Sequence, residues 1–237
     1  MKVKADENGN WRLEIKTTNS KKTQKITLKS KTSNIVLDNI LFGEVWLCSG
    51  QSNMQQPLRG FKRQPTFGAT KAIMSANNNN LKLFTVCKKA SKTTLIKLKK
   101  HISWQKATTK SVSDFSAVAY FFGQQLQEFL DVPVGLIHSS WGGSKVEVWM
   151  SSESLSQYQN VNTKNLDITK KPNIKPTLLF NAMINPLIPF TIKGALWYQG
   201  ESNRKAPEEY KKLFPAMVKD WQTRWGYWRF PVLLHPN

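Results

Sequence analysis

Apolar and polar residues alternate in two stretches near the start of the chain, Trp11-Arg12-Leu13-Glu14-Ile15 and Gln24-Lys25-Ile26-Thr27-Leu28. That period belongs to half-buried strands, and Asn8-Gly9-Asn10 reads as a turn between strand candidates. Beyond about residue 40 the texture changes to short continuous apolar runs separated by helical patterns. Val45-Trp46-Leu47 leads into Cys48-Ser49-Gly50-Gln51-Ser52-Asn53-Met54, and Leu81 to Val86 is a strand candidate after a loop at Asn77 to Asn80. Phe115, Val118, Phe122, Leu126 and Phe129 recur at helical spacing, with Ser113 or Asp114 as cap. Pro133 opens the next strand, Leu178 to Ile188 reads as helix, Ile192 to Tyr198 as strand, and Pro231 to Leu234 as a further strand. Pro207-Glu208-Glu209 opens a helix with proline and acids where its N-terminus favours them, and Pro215 must kink or divide it. Strands alternating with helices predict an α/β chain with a parallel, three-layered sheet.

Chemistry enters where apolar strands run into small polar residues. Ser52 follows one such strand, and a turn there lifts a hydroxyl to the carboxyl edge of a sheet, where α/β proteins place their sites. The segment is not the Gly-x-Ser-x-Gly elbow, because Met54 stands where the second glycine would be. Turn chemistry alone also explains Gly, Ser and Asn after a strand. Two later segments have the same form, Val134 to Ser144 with Trp141-Gly142-Gly143, and Gly194 to Asn203 with Gln199-Gly200-Glu201. If these strands are parallel neighbours, the tips supply a serine, a glycine pair with approachable N–H groups and a side-chain amide. An acyl-transfer transition state needs such donors, each worth roughly 3–4 kcal/mol of barrier.

These segments resemble the sialate O-acetylesterase-like branch of the SGNH hydrolase superfamily. The likeness is carried by Gly43 to Met54, by Ile137 to Ser144 continuing through Val146-Glu147-Val148-Trp149-Met150-Ser151, and by Leu196 to Asn203. Phe115 to Gly123 and Asn181 to Leu187 look like it too, so that it spans roughly Gly43 to Pro231. The resemblance implies a three-layer α/β/α, flavodoxin-like SGNH domain over 41–237, preceded by a partial β-rich module over 1–40. It implies a carbohydrate esterase that hydrolyses O-acetyl sugar esters, sialic acid esters first and acetylated plant polysaccharide next. It makes Ser52 the nucleophile, places the Ser52 and Gly143 backbone amides with the Asn203 side chain in the oxyanion hole, and sets Glu201 in the site wall. Gln51, Gly142 and Gln199 fall at substrate-contacting positions, and Trp141 is the ring best placed to stack on a sugar. Lys145 departs from the small or threonine-like residue common at its position.

The family's base is a histidine in an Asp-x-x-His segment near the C-terminus, and no such segment occurs here. The expectation is a C-terminally incomplete domain, with His101, His138 and His235 in structural or exposed roles. A carbohydrate-binding relic with its cleft retained and turnover lost is the competing class. Members are commonly periplasmic or secreted, which is the expectation for localisation.

Composition changes this picture little. The chain has 237 residues and a net charge of +20, its lysines spread through the first 40 residues, residues 88–100 and an exposed loop at 164–176. No nucleic-acid motif accompanies them, so specific nucleic-acid binding is not expected, while Lys88-Lys89 and Lys97 to Lys100 form a candidate anion-attracting patch. Cys48 and Cys87, the two cysteines, are expected as buried free thiols in strands. Neither a cofactor motif nor metal-ligand spacing is visible, and no apolar stretch is long enough to span a bilayer. Most tryptophans, among them Trp149, Trp197, Trp221, Trp225 and Trp228, are expected in the core.

Overall fold

A computed structural model describes residues 1–18, 20–98, 103–188, 190–226 and 230–234. His101, His235, Trp228, Lys99 and Lys100 lie outside the described residues. The chain divides into two compact units, Met1–Gly43 and Glu44–Asn237.

In the first unit, strands β1 (Gln24–Lys29) and β2 (Asn34–Ile40) pair antiparallel. The Asn8-Gly9-Asn10 turn forms around Asp6, whose Oδ1 accepts from the Asn8 and Asn10 backbone N–H groups at 3.0 and 2.7 Å. Trp11 to Ile15 alternates as a strand does but is not one, because its backbone gains no partner strand among the described residues. Alternation supplies a face to bury and cannot supply the edge to pair with.

The second unit is built on β3 (Glu44–Gly50), β4 (Asn77–Thr85), β5 (Gln105–Thr108), β6 (Val134–Ser140), β7 (Gly194–Tyr198) and β8 (Val232–Leu234), in the order β5-β4-β6-β3-β7-β8. Pairing is parallel throughout except at β5, which runs antiparallel to β4. The sheet is therefore mixed where the sequence predicts a parallel one. The chain leaves β4 at Thr85 and returns at Gln105 beside the same strand, which sets β5 antiparallel at the edge of the sheet. β4 also begins at Asn77, so the asparagines expected in a loop are strand residues; Asn77 and Asn78 pair with β5, and a register irregularity follows between Asn78 and Lys82.

Alternating side chains divide the core between the two faces of this sheet. Trp46, Cys48, Leu136 and Leu196 point to one, with Leu58, Val112, Phe115 and Tyr120; Leu47, Ile137, Ala195 and Trp197 point to the other, with Trp149, Phe180, Met217 and Trp221. Helices cover both faces, giving the three layers expected. The connecting helices are α1 (Ser52–Gln55), α2 (Ala69–Met74), α3 (Thr109–Ser113), α4 (Ala117–Leu130), α5 (Ser152–Leu155) and α6 (Pro207–Trp225). The cap of α4 is Ser116 rather than Ser113 or Asp114, its hydroxyl accepting from the Ala119 N–H at 3.2 Å. Residues 113 and 114 instead close the separate α3.

Leu178 to Ile188 is helical but irregular, a π turn over Phe180–Ile184 followed by a 3-10 turn over Asn185–Leu187 that Pro186 starts. Helix α6 runs unbroken through Pro215. The proline forfeits one backbone bond, while Leu213, Met217, Trp221 and Trp225, four residues apart, bury one continuous stripe. Trp197 lies edge-on to Trp149 and Trp221 at 6.3 and 5.7 Å between centroids, an arrangement worth about 0.5–1.5 kcal/mol per pair beyond burial. Cys48 is buried in β3, but Cys87 is exposed and lies beyond the end of β4; both are free thiols.

Candidate active site

The central position of β3 decides what gathers around Ser52. β3 pairs with β6 on one side and β7 on the other, and Gly50 faces both Ser140 and Tyr198, so the three carboxyl ends lie abreast. The condition for the three segments to meet is fulfilled. Gly50 has φ +143°, and a Cβ there would stand 2.1 Å from the Tyr198 carbonyl oxygen. No other residue fits that contact, and the Gln51 N–H then donates to the same carbonyl at 3.0 Å.

Ser52 opens α1 immediately after this turn and is exposed. A Cβ built on Gly142 would sit 3.6 Å from the Ser52 Cβ, which places the Trp141-Gly142-Gly143 turn against the serine. That turn is held from both sides. The Gly142 N–H donates to Gln55 Oε1 at 2.6 Å, and Asn173 Nδ2 donates to the Gly142 carbonyl at 2.9 Å. Gly143 takes φ +71°, a left-handed conformation suited to glycine. Among the described residues, neither the Ser52 nor the Gly143 backbone N–H donates to a protein acceptor.

Asn203 is buried, and its Oδ1 accepts from the Val146 N–H at 3.0 Å and from Gln199 Nε2 at 2.8 Å. Its Nδ2 donates to Glu147 Oε2 at 2.9 Å, which uses one of two amide protons. Glu201 is half-buried; Oε1 accepts from Asn53 Nδ2 at 2.5 Å, while the buried Oε2 has no partner. Gln51 and Gln199 are expected at the substrate, yet both are buried and occupied in joining loops. Gln51 Oε1 accepts from the Ser202 N–H at 3.1 Å and from Gln199 Nε2 at 3.3 Å, and Gln199 Nε2 also reaches the Ser144 carbonyl at 3.1 Å. Trp141 is half-buried, with the Lys88 ammonium 5.7 Å from its ring centroid. Burial pushes the Lys88 pKa down.

His138 is the one described histidine. Its Nε2 lies 2.6 Å from Ser140 Oγ, its ring meets Phe115 edge-on, and among the described residues Nδ1 has no partner within hydrogen-bond geometry. Burial and then the Lys88 charge lower its pKa to about 4, against a smaller pull from the Met54 backbone. It is a neutral, buried ring bonded to a different serine. The contact to Ser52 Oγ among the described residues is Gln51 Nε2 at 3.5 Å, at the limit of a hydrogen bond.

Sequence reasoning passes over Gln55, Asn53, Asn173 and Glu147. Gln55 has a legible signal, since it lies three residues after Ser52 on the same helical turn. Glu147 lies inside a quoted motif, and only the fold shows that it receives Asn203.

A family model described as carbohydrate esterase, sialic acid-specific acetylesterase, matches residues 42–235. This chain belongs to that family. Among curated relatives of the chain, sialate O-acetylesterase of Mus musculus is 33% identical over 237 residues, covering 85% of this chain and 43% of the relative. The Homo sapiens protein of the same name is 35% identical over 206 residues, covering 83% and 38%. The chain thus spans less than half the length of these relatives. A solved carbohydrate acetylesterase from Xanthomonas citri superposes with a TM-score of 0.84 at 33% identity, covering 98% of this chain and 50% of that one.

Proposed function

We propose that this acetylesterase-family chain carries the serine nucleophile of an esterase acting on O-acetylated sugars, with sialic acid esters as first substrates. The observation that supports this most is an exposed Ser52 at the tip of a central strand, with two unused backbone N–H groups beside it. Ser52 Oγ attacks the acetyl carbonyl carbon, the carbonyl π electrons move to oxygen, and the N–H groups of Ser52 and Gly143 with the second Asn203 amide proton stabilise that oxyanion. Collapse breaks the bond to the sugar oxygen, which leaves with the electron pair and takes up the proton given up by Ser52, and acetyl-serine remains. Water then attacks the acyl carbon, releasing acetate and restoring the serine.

The serine proton needs a base, and no histidine or carboxylate is bonded to Ser52 among the described residues. That observation favours the second reading, a sugar-binding cleft without turnover. Hydrolysis of 4-nitrophenyl acetate by the chain and by Ser52→Ala separates them. The esterase reading expects turnover above buffer that falls to background in the variant; equal rates overturn it.

A further inference from the structure

Helix α2 buries mostly alanine and leaves its largest apolar neighbours in solvent. Ala69, Ala72, Ile73 and Ala76 turn inward and join the core on the Trp46 face of the sheet. Phe67, Thr70 and Met74, with Lys71, take the complementary spacing of i, i+3, i+4 and i+7 and turn outward. A helix on a protein surface ordinarily keeps such a stripe polar, yet Phe67 is 99% and Met74 77% exposed. Seven residues of helical rise set the two side chains roughly 10 Å apart along one face.

The segment that leads into α2 is built rather than loose. Phe61 and Gln64 exchange backbone bonds at 3.0 and 2.9 Å, which puts Lys62 and Arg63 at the tip of a two-residue turn. Gln56 Nε2 donates to Thr66 Oγ1 at 3.1 Å, and that hydroxyl donates to the Pro57 carbonyl at 3.3 Å, so the two ends of the loop are tied together. Lys62, Arg63 and Lys71 are exposed and form no ion pair among the described residues. From Val45 to Ser113 the sequence contains neither aspartate nor glutamate. The first acid beyond, Asp114, is taken by Arg59 at 2.5 Å.

We infer that the loop 57–68 and α2 form a peripheral docking surface for an anionic lipid bilayer, with Phe67 and Met74 entering the headgroup boundary and Lys62, Arg63 and Lys71 against the lipid phosphates. Exposed aromatic and thioether side chains gain by leaving water for that boundary, and neighbouring cations gain from the negative surface potential. Charge complementarity decides between occupants. A second copy of this chain would bring its own net charge of +20 against the same cations, whereas an anionic bilayer offers apolar depth and opposite charge together. Two apolar side chains alone make a weak anchor, so binding depends on the lipid charge. The inference goes beyond the esterase reading and does not depend on it.

The test is co-sedimentation of the 237-residue chain with vesicles of phosphatidylcholine, with and without one quarter phosphatidylserine, at low salt and at raised salt. The expected result is partitioning on the order of ten-fold stronger with phosphatidylserine, weakened by salt. Phe67→Ser/Met74→Ser should lower it by a further order of magnitude, about ten-fold, while a thermal melt shows the variant folded. Lys62→Glu/Arg63→Glu should also lose most of the binding, and Lys164→Glu/Lys170→Glu, an equal change of net charge on a different exposed loop, should lose little. Absence of vesicle binding overturns the docking surface. Binding that survives loss of Phe67 and Met74 overturns it as well and points to a soluble polyanion held by charge alone; equal losses in the two charge-reversed variants overturn it by showing that only net charge matters.

Discussion

His138 shows how one residue's surroundings set its chemistry. Its pKa lies at about 4 in the fold, below its ordinary value of 6.5, because burial and Lys88 oppose the charged ring. The unfolded chain therefore binds the extra proton first as pH falls. The stability associated with a neutral His138 is fully present above pH 6.5 and is lost as pH drops towards 4, by about 3 kcal/mol in all. Urea midpoints measured between pH 7.5 and 4 should fall in the wild type and fall less in His138→Gln; parallel curves would refute this. The sequence marks Ser52, Gly143 and Asn203 as candidates, and the strand register sets the ends of the segments that carry them abreast. The sequence does not make legible that Gln51 and Gln199 are buried braces, because an amide's role depends on which loops come within about 3 Å of it.

Helix α6 illustrates the element scale. Its N-terminal proline and acids, the Arg224 near its end and the left-handed Gly226 cap are all local signals readable from the chain. Continuity through Pro215 is not readable, since it depends on a stripe of tertiary contacts that outweighs the lost bond. Pro215 is exposed, so Pro215→Ala should return an N–H to the Lys211 carbonyl without disturbing the core. The expected gain is about 1–2 kcal/mol, less than the full proline penalty because the unfolded chain also becomes freer. A melting temperature that stays constant or falls would contradict it. The same contrast explains Trp11 to Ile15 and Asn77 to Asn80. The first has the pattern of a strand without a neighbour, and the second has a neighbour, β5, that overrides the low strand preference of asparagine.

At the level of the whole molecule, the sheet ends among the described residues in a short strand, β8, whose Leu233 and Leu234 are 40% and 56% exposed. An apolar edge with unpaired backbone groups invites pairing with another chain, although a net charge of +20 opposes close approach at low salt. Sedimentation should therefore show self-association that grows with protein concentration and with salt, and Leu234→Lys should reduce it. A monomer under all conditions would refute this. Among the described residues no helix is long and apolar enough to cross a membrane. The layered α/β architecture was legible because alternation of strand and helix is a chain-long signal, but the antiparallel β5 was not, as a four-residue edge strand of mixed polarity has almost no signature.

The central place of β3 has one more consequence. Backbone bonds on both flanks shield the strand that leads into Ser52, whereas local opening starts more easily at the outer strands. A change in β5 or β8 therefore leaves the strand that leads into Ser52 hydrogen-bonded on both flanks, so the margins of the sheet can be rebuilt with little shift in where that serine stands.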